Sequence, residues 1–452
     1  MNELSKKELL GKLKTDKADF VNLQFSDIMG MAKSVTIPAS KVGDAIDSGL
    51  WFDGSSVEGF TRIFESDMLL KPDLGTYSLI PWFEGESGNV ARIICDVYRP
   101  NGEPYENDPR YILRKAMKEA EDMGYEFNTG PELEFFLFKK ENGRIISTQN
   151  RVIEPHDRGQ YFDFVLDQGY DVRRDMIIAL QKMGIEVETS HHEVAPGQHE
   201  IDFKYGDALT TADRVMTLKY ALKAIAQKHG LHATFMPKPI TGVNGNGMHV
   251  HQSLFDKNDD NAFFESGDKY KLSQMAYHFL GGQMKYVKEM AAILNPTVNS
   301  YKRLVPGYEA STYICWAQIN RSALIRVPKY SPGKEKSTRL EIRCPDPSAN
   351  PYLAFAVLLK TGLYGIKNKI EPPEPVEEDV FEYDEFKLEK EKIEYLPHSL
   401  WQAVRHLAKS EVMKGLLGED FIAKYIRAKT EEWDSYRISV TDWEINQYLE
   451  TI

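Results

Sequence analysis

The stretch GPELEFFLF (residues 130–138) places two acidic side chains inside an otherwise apolar segment. Its phenylalanine and leucine residues predict a buried strand, and the turn pair Gly130-Pro131 predicts the upstream end of that strand. Side chains alternate between the two faces of a strand, so Glu132 and Glu134 share one face. Two neighbouring carboxylates in a core are costly unless positive groups lie beside them. The fold must therefore bring cations to this face.

Three further predicted strands carry polar side chains at alternating positions. They supply Glu186, Glu188, Glu193, His199 and Glu200 from GIEVETSHHEVAPGQHE (184–200), His249 and His251 from GMHVHQSLF (247–255), and Arg339, Glu341 and Arg343 from TRLEIRCPD (338–346). Carboxylates with an occasional imidazole suit Mg²⁺ or Mn²⁺ better than Zn²⁺. Residues i and i+2 lie roughly 6.5–7 Å apart along a strand, so Glu132 and Glu134 are expected to face two different ions.

Each of these patterns, taken singly, also has a structural explanation. Pairing with Arg or Lys would account for Glu132 and Glu134, and hydrogen bonding within a core would account for His249 and His251. The segment HHEV (191–194) is not the HExxH motif of metalloproteases, because no second histidine follows at the required spacing. The metal interpretation rests on the number of such positions, which exceeds what ion pairing needs.

Arginines supply a second set of charges further along the chain. They are Arg303, Arg321, Arg326, Arg339 and Arg343. Guanidinium groups bind phosphate and carboxylate through paired hydrogen bonds, and arginines facing two divalent ions form a clamp for phosphoryl transfer. The sequence has no GxxxxGK[ST] loop, and the glycines at 245 and 247 do not complete a dinucleotide fingerprint. Metals and arginines must therefore handle any phosphate. A surface ion-pair network is a poor alternative, because these arginines stand among apolar residues.

Composition excludes several other classes of protein. The net charge of −12 over 452 residues argues against nucleic-acid binding, and no apolar run of about 18 residues predicts a membrane span. The N-terminus reads as a charged amphipathic helix rather than a signal peptide. Three scattered cysteines predict neither a disulfide framework nor a zinc site. We expect a cytoplasmic, reduced protein with no nucleic-acid or membrane partner.

The predicted elements indicate an α+β protein with a small β-rich N-terminal domain and a larger α+β domain. Helices are predicted at 1–14, 110–124, 171–183, 209–229 and 271–290, strands at 18–30, 31–40 and 90–98, a linker at 99–109 and a solvated acidic loop at 371–392.

Seven segments, in order, closely resemble the signatures of bacterial and archaeal (type I) glutamine synthetase. They are FDGSSVEGF, GPELEFFLF, HHEVAPGQHE, NGNGMHVHQSL, YKRLVPGYEA, NRSALIRVP and RLEIRCPDPSANPYLAFA. The resemblance runs from about residue 16 to the C-terminus. It implies a β-grasp domain (1–104) and a catalytic domain (105–452) built as a half-open antiparallel β-barrel with helices. It also implies ATP-dependent ligation of ammonium to L-glutamate through γ-glutamyl phosphate, in nitrogen assimilation.

The resemblance assigns roles by motif. It implies that Glu134, Glu193 and Glu200 bind the first Mg²⁺ or Mn²⁺ ion and that Glu132, His249 and Glu341 bind the second. It implies ATP contacts for Glu188, His251, Ser253, Arg321, Arg326 and Arg339. It implies glutamate or transferring-phosphate contacts for Asn244, Gly245, Arg303, Glu309, Arg321 and Arg343. Glycine at positions 245 and 247 is expected to allow close backbone approach to a ligand.

Ammonium has no lone pair, so its use as a nucleophile needs a base. The resemblance implies that Asp53 is this base and that Ser56, Tyr161 and Glu193 complete the ammonium pocket. On its own the DGSS segment predicts only a turn. An acyl phosphate must be shielded from water, and the resemblance implies that Glu309 lies on the lid that does so.

The resemblance further implies a homododecamer of two stacked hexameric rings, with Asp53 reaching the neighbouring subunit's site. VTDWEINQYLETI (440–452) is then the helix inserted into the opposite ring; a helix packed on its own domain is the alternative. Only KIEYLPHSL (392–400) stands where adenylylated subfamilies carry an NLYDLP-like segment, so adenylylation is not expected. Arg62 matches a residue used for glutamine feedback. Activation by 2-oxoglutarate and a PII-type nitrogen regulator remain open.

Two other functions compete with this prediction. One is a γ-glutamyl-amine ligase of the same fold that uses a polyamine or another amine in place of ammonia. The second is a structural or sensor protein that has lost catalysis. The intact residues Asp53, Tyr161 and Glu193 argue against the first, and the complete set of metal ligands and arginines argues against the second.

Overall fold

The computed structural model describes residues 4–57, 67–85, 88–141, 144–145, 154–308 and 310–452. Two residues with predicted roles, Arg62 and Glu309, lie outside these ranges. Within the described ranges, no helix is both long enough and apolar enough to cross a membrane.

The N-terminal part is built around one sheet. Its elements are α1 (Lys6–Thr15), β1 (Ala18–Ser26), β2 (Ala32–Pro38), α2 (Val42–Ser48), β3 (Leu50–Asp53), β4 (Asp67–Pro72), β5 (Ser78–Leu79) and β6 (Asn89–Tyr98). The strand order is β2-β1-β6-β4-β3, with β5 on β6, and β1 runs parallel to β6. Val21, Leu23, Ala91 and Ile93 alternate with polar residues and are fully buried. The predicted strands and the N-terminal helix are confirmed.

The larger part surrounds a ten-stranded sheet with helices. Its elements are α3 (Pro109–Asp122), β7 (Tyr125–Glu141), β8 (Arg144–Ile145), α4 (Tyr170–Lys182), β9 (Val187–His192), β10 (Gln198–Phe203), β11 (Gly206–Asp207), α5 (Ala208–Lys228), β12 (Leu231–Thr234), β13 (Met248–Asp256), α6 (Gln274–Leu294), α7 (Ser300–Arg303), β14 (Tyr313–Ala317), β15 (Ala323–Arg326), β16 (Leu340–Ile342), α8 (Pro351–Asn368), α9 (Glu385–Lys390), α10 (Leu400–Lys409), α11 (Glu411–Leu417), α12 (Glu419–Arg437) and α13 (Asp442–Tyr448). The order is β14-β15-β16-β13-β7-β10-β9, and β8, β11 and β12 also pair with β7. The predicted helices α3, α4, α5 and α6 are confirmed.

The turn predicted at Gly130-Pro131 is wrong, because β7 runs through both residues as one strand. On one side, β7 pairs with β13 throughout this region. On its other side, the partner changes from β11, opposite Thr129, to β10, opposite Glu132. Proline has no N–H group and is tolerated where a strand lacks a partner on one side. The gap between β10 and β11 therefore accommodates two residues that usually end a strand.

The acidic segment 371–392 is not the solvated loop that its composition predicts. Val380 and Leu388 are buried in a small core beside β14. The Glu377 carboxylate accepts a hydrogen bond from the Ile319 backbone N–H at 2.8 Å. The prediction of a fully solvated loop is wrong because apolar residues this widely spaced produce no helical or strand periodicity.

Arg110, near the start of α3, ties the two parts of the chain together. Its guanidinium is 3% exposed and pairs with Asp73 (2.7 Å) and Asp96 (2.6 Å) of the N-terminal part and with Asp213 (2.9 Å) of α5. Hydrogen bonds between charged groups are stronger than neutral ones, so this cluster fixes the junction firmly. The domain boundary expected between residues 104 and 105 stays a prediction.

We expect Arg110→Ala to lower the free energy of unfolding by about 3–5 kcal/mol, because it leaves the buried carboxylate of Asp213 without its counter-charge, whereas Asp73 and Asp96 keep Arg114. Denaturant unfolding followed by circular dichroism would measure the change. Lys118→Ala is the matched control on α3, since the ion pairs of Lys118 within the described ranges are exposed ones, with Glu121 and Asp122. Such pairs are worth about 0–1 kcal/mol. Equal effects of the two substitutions would contradict a stabilising role for the buried cluster.

Candidate active site

Strand β7 lies between β10 and β13, and the pairing register sets the surroundings of its two acids. Glu132 lies opposite Asp202 of β10 and opposite His249 of β13. Glu134 lies opposite Glu200 of β10. Directly opposed residues in an antiparallel pair have Cβ atoms about 4.5–5.5 Å apart. The register therefore gathers four carboxylates and an imidazole on one face of the sheet.

Strand β16 adds Glu341 beside β13 and β15. Glu341 is fully buried and accepts hydrogen bonds from Arg326 Nε at 2.5 Å and from Arg343 Nη1 at 2.8 Å. Burial opposes ionisation of this group, but Arg343 and the nearby histidines lower the pKa of Glu341 below its ordinary value. Glu341 is therefore held as a carboxylate by the cations around it.

Glu132 lies between two imidazoles. Its carboxylate contacts His251 Nε2 at 2.7 Å and His249 Nδ1 at 3.2 Å. Burial disfavours the charged form, yet the hydrogen bonds from both histidines lower the pKa of Glu132. Arg339 Nε donates to His251 Nδ1 at 3.1 Å, so the Nε2–H of this ring points at the carboxylate. The positive partners expected for Glu132 are thus present.

All six predicted metal ligands line one cavity of about 400 Å³. The lining residues are Glu132, Glu134, Tyr161, His191, Glu193, Val194, Gln198, Glu200, Asp202, Asn244, Gly245, His249, Arg303, Tyr308, Ala310, Arg321, Arg326, Glu341 and Arg343. Candidate ligand atoms within 4.8 Å of one another form two groups that include lining residues of this cavity, Glu132-His251-Glu341 and His191-Glu200-Asp202, of which His251 lines the adjoining cavity. These groups overlap with the predicted ligand sets without matching them.

Burial outweighs the nearby positive charges at three other carboxylates of this cavity. Burial raises the pKa of Glu134 to about 7 and the pKa of Asp202 to about 6. Burial, followed by the charges of Asp202 and Glu134, raises the pKa of Glu200 well above its ordinary value. These carboxylates lie so close together that some of them retain a proton near pH 7. Oxygen donors of this kind, with an occasional imidazole, suit hard divalent cations. The residues present are therefore suited to such ions.

A second cavity of about 270 Å³ adjoins the first and shares Glu132 and Asp202 with it. Four of the residues with predicted ATP contacts line it, namely Glu188, His251, Ser253 and Arg339. The other two, Arg321 and Arg326, line the first cavity. Lys336 and Tyr205 also line the second cavity. Two adjoining cavities thus lie on one side of the sheet, and the carboxylates of Glu132 and Asp202 lie between them.

The predicted glutamate contacts Asn244, Gly245, Arg303, Arg321 and Arg343 line the first cavity. Arg303 is buried and donates to the carbonyl oxygen of Cys344 at 2.8 Å. A Cβ at Gly245 would lie 2.3 Å from the Pro237 carbonyl oxygen, and one at Gly247 would lie 2.7 Å from Arg303 Nη2. These glycines are therefore required by close packing within the chain, a different reason from the ligand approach that we expected.

The predicted ammonium pocket is only partly assembled within one chain. Tyr161 and Glu193 line the first cavity. Asp53, in contrast, is exposed at the end of β3, where its carboxylate accepts a hydrogen bond from Ser55 N at 2.8 Å. Asp53 is not among the described residues that line the cavity. Ser56 follows it on the same turn. Of the four predicted pocket residues, only Tyr161 and Glu193 are among the described residues that line this cavity.

Asp202, His191 and Gln198 also line the first cavity, although no sequence motif assigns them a role. Asp202 stands two positions after Glu200 on β10, so strand alternation alone could have identified it. Gln198 Nε2 donates to Glu134 at 3.0 Å and to the Gly245 carbonyl at 3.1 Å. No local sequence pattern distinguishes a glutamine that donates hydrogen bonds within a cavity from a glutamine on the surface.

Comparisons with known proteins agree on one family. The family model "Glutamine synthetase, catalytic domain" matches residues 106–448, and "Glutamine synthetase, beta-Grasp domain" matches residues 17–100. The glutamine synthetase of Clostridium saccharobutylicum is 51% identical over 451 residues and covers 99% of both chains. Those of Methanosarcina mazei (50% identity, 98% of both chains) and Thermus thermophilus (49%, 99% of both chains) are similar.

Solved structures with the same fold include ligand-free GmaS, with a TM-score of 0.86 and 32% identity, covering 98% of this chain and 100% of that one. A GmaS–ADP complex has a TM-score of 0.87 and 32% identity, covering 98% and 99%. The expected fold, a β-grasp domain followed by a catalytic domain with a half-barrel sheet and helices, is confirmed.

Proposed function

This chain belongs to the glutamine synthetase family, as a type I member that ligates ammonium to L-glutamate with ATP, and we propose that the cavity lined by Glu132 and Glu134 is its active site. The observation that carries the proposal is the convergence of all six predicted metal ligands on that one cavity. The ligands come from β7, β10, β13 and β16 and from the residue that follows β9. The family implies the use of a divalent metal.

We propose that Glu134, Glu193 and Glu200 hold one Mg²⁺ or Mn²⁺ ion and that Glu132, His249 and Glu341 hold the other. Such ions neutralise phosphate charge when bound. Glu341 holds Arg326 and Arg343 beside the same space, which supports their role as phosphate contacts. Arg321 lines the cavity with them. These guanidinium groups would orient the γ-phosphate against the glutamate carboxylate, where positioning and charge do most of the catalytic work.

We propose that the adjoining cavity holds the nucleotide. Glu188, Ser253 and Arg339 line it, and His251 lies on the wall toward Glu132. Glutamate would contact Asn244, Gly245 and Arg303. Glu309 is proposed as the lid residue that excludes water from the acyl phosphate; its position lies outside the described residues.

Ammonium would bind beside Tyr161 and Glu193 and lose its proton to Asp53 of a neighbouring subunit. Asp53 is exposed and is not among the described residues that line the cavity of its own chain, which supports this arrangement. Helix α13 has no buried residue among those that form it, and the exposed side chains around it include Ile438, Val440, Trp443 and Leu449. Exposed apolar side chains around this helix support its insertion into an opposing ring of a homododecamer.

Regulation is proposed from the sequence alone. Glutamine feedback through Arg62 rests on a residue outside the described ranges, and a PII-type protein is a further candidate partner. The chain would belong to the non-adenylylated subfamily, with Tyr395 unmodified. The unpaired thiols of Cys95, Cys315 and Cys344 fit the reducing cytoplasm. Identity near 50% to glutamine synthetases over almost the whole chain favours ammonium over another amine as the nitrogen donor.

The cation proposal predicts proton release when Mn²⁺ binds. The pKa values of Glu134 (about 7) and Glu200 are raised, so these groups retain protons near pH 7. A bound cation favours the ionised form, so on the order of one proton should leave each subunit at pH 7 and fewer at higher pH. Calorimetric titration in two buffers of different ionisation enthalpy would measure the release. Glu200→Gln should reduce it. Stoichiometric binding without proton release would contradict the proposed ligands.

A further inference from the structure

A buried polar cluster adjoins the two segments that carry Tyr161 and Glu193. Its members, called here the Asp157 cluster, are Asp157, Asp167, Arg173, His192 and His199. The side chains of Asp157 and His192 are fully buried, and His199 is fully buried as well. None of them has a role in the mechanism proposed above. Buried charges are costly, so a cluster of this kind needs a reason.

Asp157 joins two separate segments through its two carboxylate oxygens. Oδ1 accepts from His192 Nε2 at 2.8 Å and from Gly197 N at 3.1 Å, both in the β9–β10 hairpin. Oδ2 accepts from Gln168 N at 3.0 Å and Gly169 N at 3.2 Å, at the end of the segment 158–169. Each oxygen therefore holds a different piece of chain, and only a group with two acceptor atoms can do this.

These two pieces carry the ammonium pocket. The segment 158–169 contains Tyr161, and the Phe162 backbone N–H donates to the His192 carbonyl at 3.3 Å. His192 is followed directly by Glu193, whose carbonyl oxygen lies 2.6 Å from His192 Nδ1. Asp157 is thus linked to Glu193 through a single residue, His192.

The other members of the Asp157 cluster stabilise the contact between the same two segments. Arg173 pairs with Asp167 at 2.6 Å and lies 2.9 Å from His199 Nδ1. A Cβ added at Gly159 would come within 2.8 Å of the His192 ring, and one at Gly169 within 2.5 Å of the His199 ring. The segment therefore packs against both rings as closely as glycine allows.

We propose that Asp157 is a positioning residue of the ammonium pocket, which holds the segment bearing Tyr161 against the hairpin bearing Glu193. This inference rests on the proposed roles of Tyr161 and Glu193. Asparagine cannot replace the carboxylate, because one of its two terminal atoms is a donor that would face backbone N–H groups. The reaction itself does not touch Asp157, since the side chain is fully buried.

The test compares Asp157→Asn with Asp163→Asn. Asp163 lies on the same segment, and within the described residues its carboxylate accepts a single hydrogen bond, from Gln160 N at 3.2 Å, so it is a matched control. We expect Asp157→Asn to speed amide hydrogen exchange in 158–169 by about 10–100-fold, the effect of losing hydrogen bonds to a charged group. The KM for ammonium should rise by a similar factor while the KM for ATP stays within about twofold. Asp163→Asn should change neither.

A second variant covers the case in which Asp157→Asn does not fold. Gly159→Ala keeps the charge and displaces the segment from His192, so it should raise local exchange and the ammonium KM in the same direction. Unchanged exchange in 158–169, exchange that rises uniformly through the chain, or an unchanged ammonium KM despite local loosening would each overturn the inference.

Direct substitutions separate this inference from the proposed function. Tyr161→Phe and Glu193→Gln should both impair ammonium use. If they do and Asp157→Asn does not, only the positioning role is wrong. If neither direct substitution affects ammonium use, the proposed pocket itself is wrong, and the exchange measurement still decides whether Asp157 holds the segment.

Discussion

Glutamate-dependent ATP cleavage should fall by about three orders of magnitude or more in Glu341→Ala, since a metal ion contributes several kcal/mol of charge stabilisation to phosphoryl transfer. Glu341 is fully buried and holds both Arg326 and Arg343. Its removal takes away a proposed ligand and also frees two guanidinium groups that would contact phosphate. Both changes act on the same step, which is why the expected loss is so large.

The measurement pairs single-turnover ADP release with Mn²⁺ stoichiometry by equilibrium dialysis. We expect Glu341→Ala to bind one ion fewer per subunit and to keep the oligomer intact. Glu341→Gln keeps the side-chain volume, so it separates lost charge from a cavity. Glu389→Ala, an exposed glutamate of α9, is the control for the loss of a surface charge. Full activity of the wild-type protein in excess chelator would contradict the two-cation proposal.

Asp53→Asn should lower ammonia incorporation by about two to four orders of magnitude, the usual cost of losing a positioned base. The substitution keeps the shape of the side chain and removes its charge and basicity. Slow glutamate-dependent ATP cleavage should survive, because the proposed metal ligands and the arginines remain. Asp44→Asn is the control, since Asp44 is an exposed acid of the same domain.

Mixed oligomers test whether Asp53 serves the neighbouring subunit. Subunits with Asp53→Asn are dissociated and reassembled with subunits carrying Glu341→Ala. Some interfaces then combine an intact Asp53 with an intact Glu341, and these should regain activity. Each single variant, carried through the same procedure, should stay inactive. Mass-confirmed mixed oligomers without recovery would place Asp53 in the site of its own chain and reject the shared site.

Strand alternation accounts for much of what could be predicted. The same-face placement of Glu132 and Glu134 follows from a period of two residues, and amphipathic spacing located α3 to α6. Local rules failed where the partner of a strand decides the outcome. The pair Gly130-Pro131 predicts a turn unless the gap between β10 and β11 is known. The sequence around Val380 predicts a solvated loop unless the contact with β14 is known.

The sequence by itself determined the kinds of groups available and their family: paired carboxylates on strands, two histidines two residues apart, and arginines that follow them. Only the tertiary structure decided which groups meet. The register sets Glu132 opposite both Asp202 and His249, and it places Glu341 next to Arg326. Asp53, in the other sheet, is not among the described residues that line the cavity. The reason is physical: side-chain alternation depends on neighbouring residues alone, whereas register and burial depend on residues far apart in the chain.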